Sequence, residues 1–418
     1  FDGAERLWKF HIDHGRRIEH GLPLRWKMDQ YSPNTLLTGT WAEAKAKREA
    51  ENQRNSWQPY VVEKIVDESS SIRSFYFKAK DHTVPAFQPG QFLTLNLPIK
   101  GKDIIRTYTV SNAPADRLLR ISVKRQDAPK PDVPEGLASH YLHTQVNAGD
   151  ILYAKAPSGA FVFDPNEERP AVLLSAGVGI TPMVAMAQQA LVEGIRTRKL
   201  RPTTLISTAR SQSERAFFDE LRMLESESGG NIRSFWSLSQ VDGSLSPGKD
   251  YHYTGRISAE FLQAILPIDD YDFYLCGPAG FMQSTYELLR DLGVNDARIF
   301  AEAFGPASMQ RRPDIGGVDQ PSVATAKQAI VEFAESQVEQ AWSEGDGSLL
   351  EFAEDHGFSP EFACRSGQCG SCKTKLHSGS VSYPNPPAMP LEDDEVLLCC
   401  AKPAAVEGQD VVKLSLQL

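Results

Sequence analysis

The length of 418 residues exceeds what one compact core accommodates and suits about two to four domains. A hydrophobic share of 41% and a charged share of 23% are ordinary for globular proteins and exclude a disordered or fibrous chain. The net charge of −10 lies mostly at one end: from residue 321 onward, 15 Asp and Glu stand against 6 Lys and Arg, which favours a basic protein partner over nucleic acid.

Residues 1–57 have a helical composition, and no motif assigns them a role. Residues 58–165 change to short alternating runs, among them YVVEKIV, IRSFYFKA and QFLTLNLP, separated by Gly, Pro and Asp. Apolar side chains at every second position, with turn residues between the runs, predict an antiparallel β-barrel.

Residues 166–310 predict an α/β domain with a parallel sheet. Apolar strand-like runs such as AVLLSAG and DFYLCG alternate here with helical stretches, as in βαβ units. Residues 311–320, rich in Pro, Gly and charge, predict a linker. Residues 321–418 combine short strands with one short helix and contain five of the six cysteines.

The cysteine pattern of this last part is typical of a [2Fe-2S] site. Cys364, Cys369 and Cys372 have the C-x4-C-x2-C spacing of plant-type clusters, and a further cysteine follows at Cys399. Gly367 lies within the loop, where the missing side chain lets backbone N–H groups approach the sulfur atoms. Zinc is the alternative, but tetrahedral zinc sites usually pair two separate C-x2-C turns. A disulfide framework is less consistent with such local clustering.

Two motifs in residues 58–165 favour a flavin site. In RTYTVSN, Arg106 and Tyr108 share one strand face, where a guanidinium can pair with phosphate and a phenol can lie against a flavin ring. The hydroxyl of Thr109 can hydrogen bond to the flavin edge. In GLASHYLH, Gly136 and Ser139 open a predicted helix whose free N–H groups favour a pyrophosphate. Each motif alone is compatible with a purely structural strand or helix cap.

Two motifs of the parallel-sheet region favour a nucleotide site. In SAGVGITPM, Gly177 and Gly179 form a strand-to-helix turn, and Thr181 begins the helix. In YLCGPAGFM, Cys276 and the following Gly-Pro stand at a later strand end, where open α/β sheets bind ligands. A tight turn and a small buried hydrophobic residue are the structural alternatives.

The order of these motifs resembles the ferredoxin-NADP reductase superfamily. RTYTVSNAP, GLASHYLH, GVGITPM and EAFGP are most similar to the reductase half of flavohaemoglobins, over residues 58–310. Residues 321–418 are similar to plant-type ferredoxin domains, which have the α+β β-grasp fold. In such fusions the last cluster ligand precedes a proline by four residues, which favours Cys399 over Cys400 because Pro403 follows.

The resemblance implies a set of cofactor contacts. FAD is expected against Arg106, Tyr108, Thr109, Gly136, Leu137 and Ser139, with Phe304 near its ring, and the nicotinamide nucleotide against Gly177, Gly179, Thr181, Cys276, Gly277 and Pro278. Reductases of the phthalate dioxygenase type share the flavin strand and the domain order but use FMN, so FMN stays open. NADH and NADPH are both compatible with the motifs.

Together these features predict a cytoplasmic enzyme that passes electrons from NAD(P)H through FAD and a [2Fe-2S] cluster to a partner protein, such as an oxygenase component. No residue is assigned as a catalytic acid or base, because the cofactors supply the chemistry. No apolar run reaches the roughly 18 residues of a membrane span, so we expect no membrane partner. Alternatives are a longer self-sufficient oxidoreductase with its catalytic domain before Phe1, and a non-enzymatic redox sensor.

Overall fold

The computed structural model describes most of the chain beyond residue 55. The described residues are 56–114, 117–128, 134–304, 309–312, 314, 323–358, 360, 362, 367, 370–384, 387 and 391–418. The expected helical segment 1–57, apart from its last two residues, lies outside this set, as do most of the expected linker 311–320 and two predicted cluster ligands, Cys364 and Cys369.

Six strands form an antiparallel sheet, here called the antiparallel domain. They are β1 (Gln58–Asp67), β2 (Ile72–Ala79), β3 (Phe92–Ile99), β4 (Lys102–Thr109), β5 (Leu119–Lys124) and β6 (Ile151–Ala154), and helix α1 is Leu137–Thr144. The order is β4-β3-β6-β1-β2-β5. Alternate side chains, such as Phe75, Phe77 and Leu95, fill the inner face, as the period-two pattern predicts.

The edge strands of this sheet meet at one end. Val110, just beyond β4, forms an isolated antiparallel bridge with Ile121 of β5. The N–H of Ser111 donates to the Arg120 carbonyl at 2.7 Å. The sheet therefore curls so that the end of β4 lies beside β5.

The parallel domain follows. Its strands are β7 (Ala171–Ala176), β8 (Thr203–Ala209), β9 (Ile232–Leu238), β10 (Tyr253–Thr254), β11 (Asp272–Gly277) and β12 (Ile299–Ala303). Its helices are α2 (Ile180–Thr197), α3 (Phe218–Glu227), α4 (Ala259–Ile265) and α5 (Ala279–Asp291). The order β10-β9-β8-β7-β11-β12 is parallel throughout. The order of the strands reverses at β7, because β8, β9 and β10 lie on one side of it and β11 and β12 lie on the other. Ligands of open α/β sheets bind at such a point.

The described residues of the C-terminal module form a five-stranded sheet, a separate two-stranded sheet and one short helix. The bounds are β13 (Gln328–Phe333), β14 (Val338–Ser343), α6 (Leu349–Asp355), β15 (Lys373–Ser378), β16 (Val381–Ser382), β17 (Glu395–Leu397), β18 (Lys402–Pro403) and β19 (Val411–Leu416). The order is β14-β13-β19-β15-β17, in which only the central pair β13 and β19 is parallel. Ser348 and Glu351 form a capping box at the start of α6.

Residues Gln58–Leu418 form one compact unit. Within the described part of the chain, no helix combines the length and the apolar character needed to cross a membrane.

Candidate cofactor site

The end of β4 offers an unsatisfied polar group of the kind a flavin would use. Thr109 is buried, and its Oγ1 has no hydrogen-bond partner among the described residues. An orphaned buried hydroxyl is costly unless a ligand completes it. Burial raises the pKa of the neighbouring Tyr108 phenol well above its ordinary value, so this side chain stays neutral. The Arg106 guanidinium donates to Ile105 O at 2.7 Å.

The start of α1 presents backbone donors rather than a side-chain hydroxyl. Ser139 Oγ donates to Gly136 O at 3.0 Å and accepts the Gln126 N–H at 3.1 Å, so both of these bonds stay within the protein. A Cβ on Gly136 would lie 2.7 Å from Ser139 Oγ. Leu137, the first residue of this helix, is exposed, and the first-turn N–H groups of a helix are donors that an anion can use.

The glycine turn after β7 packs directly against the end of β11. A Cβ on Gly179 would lie 2.1 Å from the Cys276 carbonyl oxygen, so any side chain there would displace the backbone. Gly177 has a φ of 56°, in the region that favours glycine. Thr181 Oγ1 donates to Val178 O at 3.0 Å and stabilises the turn from within.

The ends of β11 and β12 bring a thiol beside a carboxyl group. Cys276 and Glu302 are aligned in the parallel register, and both are buried. Glu302 Oε2 has no partner among the described residues, and burial raises the pKa of this carboxyl to about 8. Burial, reinforced by Glu302, also raises the pKa of the Cys276 thiol. A neutral thiol thus stands on β11, at the switch point of the sheet, with a neutral acid beside it on β12.

The sequence motifs do not include two residues near these turns, Glu302 and Lys124. An acidic residue inside the apolar run IFAEAF was the available signal for Glu302. Lys124 ends β5, and its Nζ lies 4.0 Å from the position that a Cβ of Gly177 would occupy. Nothing in the sequence links these two residues. Phe304 follows β12 and is 46% exposed, and Gly277 and Pro278 continue β11 into α5.

The C-terminal module places two of the predicted ligands, together with Cys400, in the described region. Cys372 is buried, and Cys399 Sγ accepts the Gly367 N–H at 3.3 Å. Such N–H···S contacts suit a thiolate that binds a cluster. Cys400 Sγ instead lies 3.6 Å from Leu397 O. Gly367 has a φ of 72°, and a Cβ there would lie 3.0 Å from Cys400 Sγ.

The acidic run before Cys399 is partly neutralised. Lys375 Nζ lies 2.6 Å from Asp394, and Lys373 Nζ lies 2.6 Å from Glu395. The four acids of LEDDEV therefore leave a local charge nearer −2 than the −4 that the sequence suggests.

Three family models match the chain in the order of these domains. An oxidoreductase FAD-binding domain covers residues 59–163, an oxidoreductase NAD-binding domain covers 173–287, and a 2Fe-2S iron-sulfur cluster binding domain covers 331–404. The solved FAD/NAD-binding domain of a nitric oxide dioxygenase from Vibrio cholerae is 35% identical, with a TM-score of 0.52, and the match covers 60% of this chain and 99% of that one. The chain belongs to the ferredoxin-NADP reductase superfamily, with a C-terminal [2Fe-2S] ferredoxin domain.

Two further relatives show how much of this chain each resemblance covers. A Bacillus cereus flavohemoprotein is 35% identical over 272 residues, 64% of this chain, and the chain spans 66% of that protein, just under two thirds. The structure of phthalate dioxygenase reductase is 22% identical, with a TM-score of 0.51, and covers 88% of this chain and 99% of that one, which shows a shared fold.

The matches confirm the predicted fold class and the predicted cofactor types, namely FAD, a nicotinamide nucleotide and a [2Fe-2S] cluster. The individual contact residues stay predictions.

Proposed function

We propose that the reductase oxidises NAD(P)H and delivers the electrons one at a time, through FAD and the [2Fe-2S] cluster, to a partner protein. One observation carries the proposal. Lys124 of the antiparallel domain reaches the glycine turn of the parallel domain, with Nζ 4.0 Å from the Cβ position of Gly177. The turn expected to bind the nucleotide thus faces the domain expected to hold the flavin.

The chain's own residues bind and orient the flavin and the nucleotide. Thr109 Oγ1 completes its hydrogen bonding on the flavin edge, and the start of α1 holds the pyrophosphate. Lys124 supplies a positive charge where the nucleotide phosphates meet Gly177. FAD accepts a hydride and releases single electrons, which is the chemistry that the protein residues do not supply.

Glu302 and Cys276 place two buried, uncharged side chains beside the proposed nicotinamide position. Because burial keeps both groups protonated at neutral pH, neither a carboxylate nor a thiolate charge stands at this position. The unpartnered Glu302 Oε2 is free to bond to the bound nucleotide.

In this proposal four cysteines hold the cluster. Three of them belong to the C-x4-C-x2-C motif, namely Cys364, Cys369 and Cys372, and Cys399 is the fourth. The contact from the Gly367 N–H to Cys399 Sγ supports Cys399 over Cys400 as the fourth ligand. The partner is an oxygenase component or another one-electron acceptor with a basic docking surface. A cytoplasmic location, where thiols stay reduced and NAD(P)H is supplied, completes the proposal.

Anaerobic titration with NADH tests the scheme. Flavin bleaching followed by a reduced-cluster electron paramagnetic resonance signal is the expected result, with rapid reduction of cytochrome c as a surrogate acceptor. Acid release of the flavin should yield FAD, and FMN alone would contradict the flavin assignment. A reduced flavin that never reduces the cluster would remove the electron-transfer function and leave a redox sensor as the better reading.

A second candidate is the reductase portion of a longer, self-sufficient oxidoreductase. It is favoured by the flavohemoproteins, in which the matching residues occupy only part of a longer chain. The full open reading frame decides it: a catalytic domain encoded upstream of Phe1 would replace the separate partner.

A further inference from the structure

Arg120 joins the antiparallel and parallel domains through a partly buried ion pair. It lies on β5, and its side chain is only 4% exposed. The guanidinium donates to both carboxylate oxygens of Glu220 on α3, at 2.7 and 3.0 Å. A bidentate pair of this kind is strong and directional, so it fixes the orientation of α3 against β5.

Arg120 also donates to Tyr76 OH at 3.3 Å and to the segment just beyond the flavin strand. Its Nε donates to Ser111 Oγ at 3.1 Å, and its Nη2 donates to Ser111 O. The Arg120 N–H donates to Asn112 Oδ1 at 2.7 Å. Ser111 is two residues after Thr109, so one side chain connects the end of the flavin strand to α3.

Gln188 links the same carboxylate to the nucleotide helix. It lies on α2, which begins directly after the glycine turn. Its Oε1 accepts the Ala113 N–H at 2.7 Å, and its Nε2 donates to Glu220. Glu220 is therefore the shared acceptor of one group from each domain.

The connection from β8 to α3 is held at further points. Ser213 O accepts the Ser70 N–H of the antiparallel domain at 2.9 Å. The Arg120 guanidinium lies 4.7 Å from the centroid of the Phe217 ring. Phe217 has φ 61° and ψ 21°, a left-handed conformation that side chains avoid unless the surroundings impose it. In nucleotide-binding sheets this connection lies near the ribose.

We propose that Arg120 is a positioning residue for hydride transfer: with Glu220, Gln188 and Phe217 it sets the nicotinamide against the flavin ring. The inference rests on the proposed function, in which a hydride, two electrons and one proton, leaves the nicotinamide and is accepted by the flavin. The reacting atoms must approach to about 3–3.5 Å, and a displacement of about 1 Å can cost about a hundredfold in rate. A clamp on both domains controls that approach without touching either cofactor.

Glu220→Gln is the main test variant, because Glu220 is 25% exposed and the substitution preserves its shape. Arg120→Met removes the whole contact, whereas Arg120→Lys keeps the charge without the planar fork and should recover part of the effect. Glu168→Gln is the matched control, since it breaks the ion pair with Lys199 in the same domain, where the two side chains are 66% and 83% exposed.

Stopped-flow reduction by NADH, and by NADH deuterated at the transferred position, is measured per bound flavin. We expect Glu220→Gln to lower the limiting rate of flavin reduction by about tenfold or more. The NADH dissociation constant should change less than threefold, the isotope effect should not fall, and the nicotinamide–flavin charge-transfer absorbance should weaken. Hydrogen exchange of the flavin-free variant should rise in residues 209–218 and stay unchanged in the C-terminal module.

A variant that keeps the wild-type rate per flavin, isotope effect and charge-transfer band would overturn the positioning role and leave a stabilising ion pair. Equal losses in Glu168→Gln would do the same. Wild-type protein that NADH fails to reduce would instead refute the proposed function, so the two failures are distinguishable. If Arg120→Met does not fold, Glu220→Gln and the exchange data decide the question.

Discussion

Two regions of the molecule use ion pairs in opposite ways. Between the antiparallel and parallel domains, the buried Arg120 is joined by two hydrogen bonds to Glu220, which is 25% exposed. In the C-terminal module, Lys375 and Asp394 pair at 2.6 Å, and both are about half exposed. Losing one partner of a buried pair leaves an uncompensated charge, whereas an exposed pair contributes little to stability.

The difference separates geometry from recognition. In the proposal above, the Arg120–Glu220 pair fixes the relative orientation of the two domains that bind the cofactors, so the direction of its hydrogen bonds matters more than their strength. The exposed acids near Cys399 shape the field that an approaching protein meets, and that field acts over a distance set by the salt concentration. Four predictions test whether these two roles are independent.

The largest expected effect is the loss of the cluster without loss of the flavin. Cys369→Ser and Cys399→Ser should abolish cluster assembly, because a serine hydroxyl is a poor substitute for a thiolate ligand. FAD and its reduction by NADH should remain, since the FAD-binding domain covers residues 59–163, outside the C-terminal module. Iron, acid-labile sulfide and flavin per protein are the measurements.

Cys400→Ser is the control for this prediction and should keep its iron. Iron lost from Cys400→Ser but retained in Cys399→Ser would exchange the two assignments. Flavin lost together with iron would show that the two regions do not fold independently.

The buried carboxyl of Glu302 should make the flavin-free protein less stable as the pH rises. Its pKa is about 8 in the fold against an ordinary 4.5, so between these values the unfolded chain has lost a proton that the folded chain keeps. The free energy of unfolding then falls by up to about 1.4 kcal/mol per pH unit, and the full stability is present only below pH 4.5.

Glu302→Gln should remove this loss. Urea unfolding at pH 5 and pH 8 is the measurement. The free energy of unfolding of the variant, relative to that of the wild type, should be higher at pH 8 than at pH 5. Glu168→Gln, whose carboxylate is exposed, should follow the wild type. Parallel pH profiles for wild type and Glu302→Gln would show that the carboxyl is ionised in the fold.

Nicotinamide preference should depend on one exposed arginine. Arg215 is nearly buried, with its guanidinium 3.8 Å from the Phe218 ring centroid and a hydrogen bond to Asp250 O. Arg210 is exposed after β8 and is better placed to reach a ribose 2′-phosphate. We expect a modest preference for NADH in the wild type.

Arg210→Ala should lower kcat/KM for NADPH by roughly tenfold, or about 1.4 kcal/mol, and leave NADH nearly unchanged. Steady-state kinetics with both nucleotides check this. A wild-type preference for NADPH above roughly a hundredfold, near 2.7 kcal/mol, would overturn the expected preference.

The smallest effect is expected from the exposed acids. Asp394 and Glu395 pair with lysines, whereas Glu392 and Asp393 form no ion pair with the residues that the structure describes. Neutralising both, as Glu392→Gln with Asp393→Asn, should slow cluster reoxidation by the partner a few-fold at low salt and flatten its salt dependence. Flavin reduction by NADH should respond to neither change.

Glu407→Gln with Asp410→Asn is the matched control, because it removes the same charge from exposed positions of the same module. Stopped-flow rates over a range of salt concentrations distinguish the cases. Equal slowing in both double variants would mean that net charge, rather than a docking patch, controls association.

The sequence by itself determined the three domain types and their order. Period-two runs, βαβ alternation and the C-x4-C-x2-C spacing are local patterns, and the family matches confirm the architectures that they predict. Gly179 is a local signal as well, because only glycine allows the turn to approach the Cys276 carbonyl. The sequence does not indicate that the Ser139 hydroxyl forms its hydrogen bonds within the protein.

Only the tertiary structure decided which distant groups meet. Arg120 and Glu220 are 100 residues apart, and each alone is an ordinary charged residue of a strand or helix. Glu302 gains its raised pKa from burial, which spacing along the chain does not specify. Local patterns follow from backbone geometry over a few residues, whereas the dielectric setting and partner of a charge depend on how the domains pack.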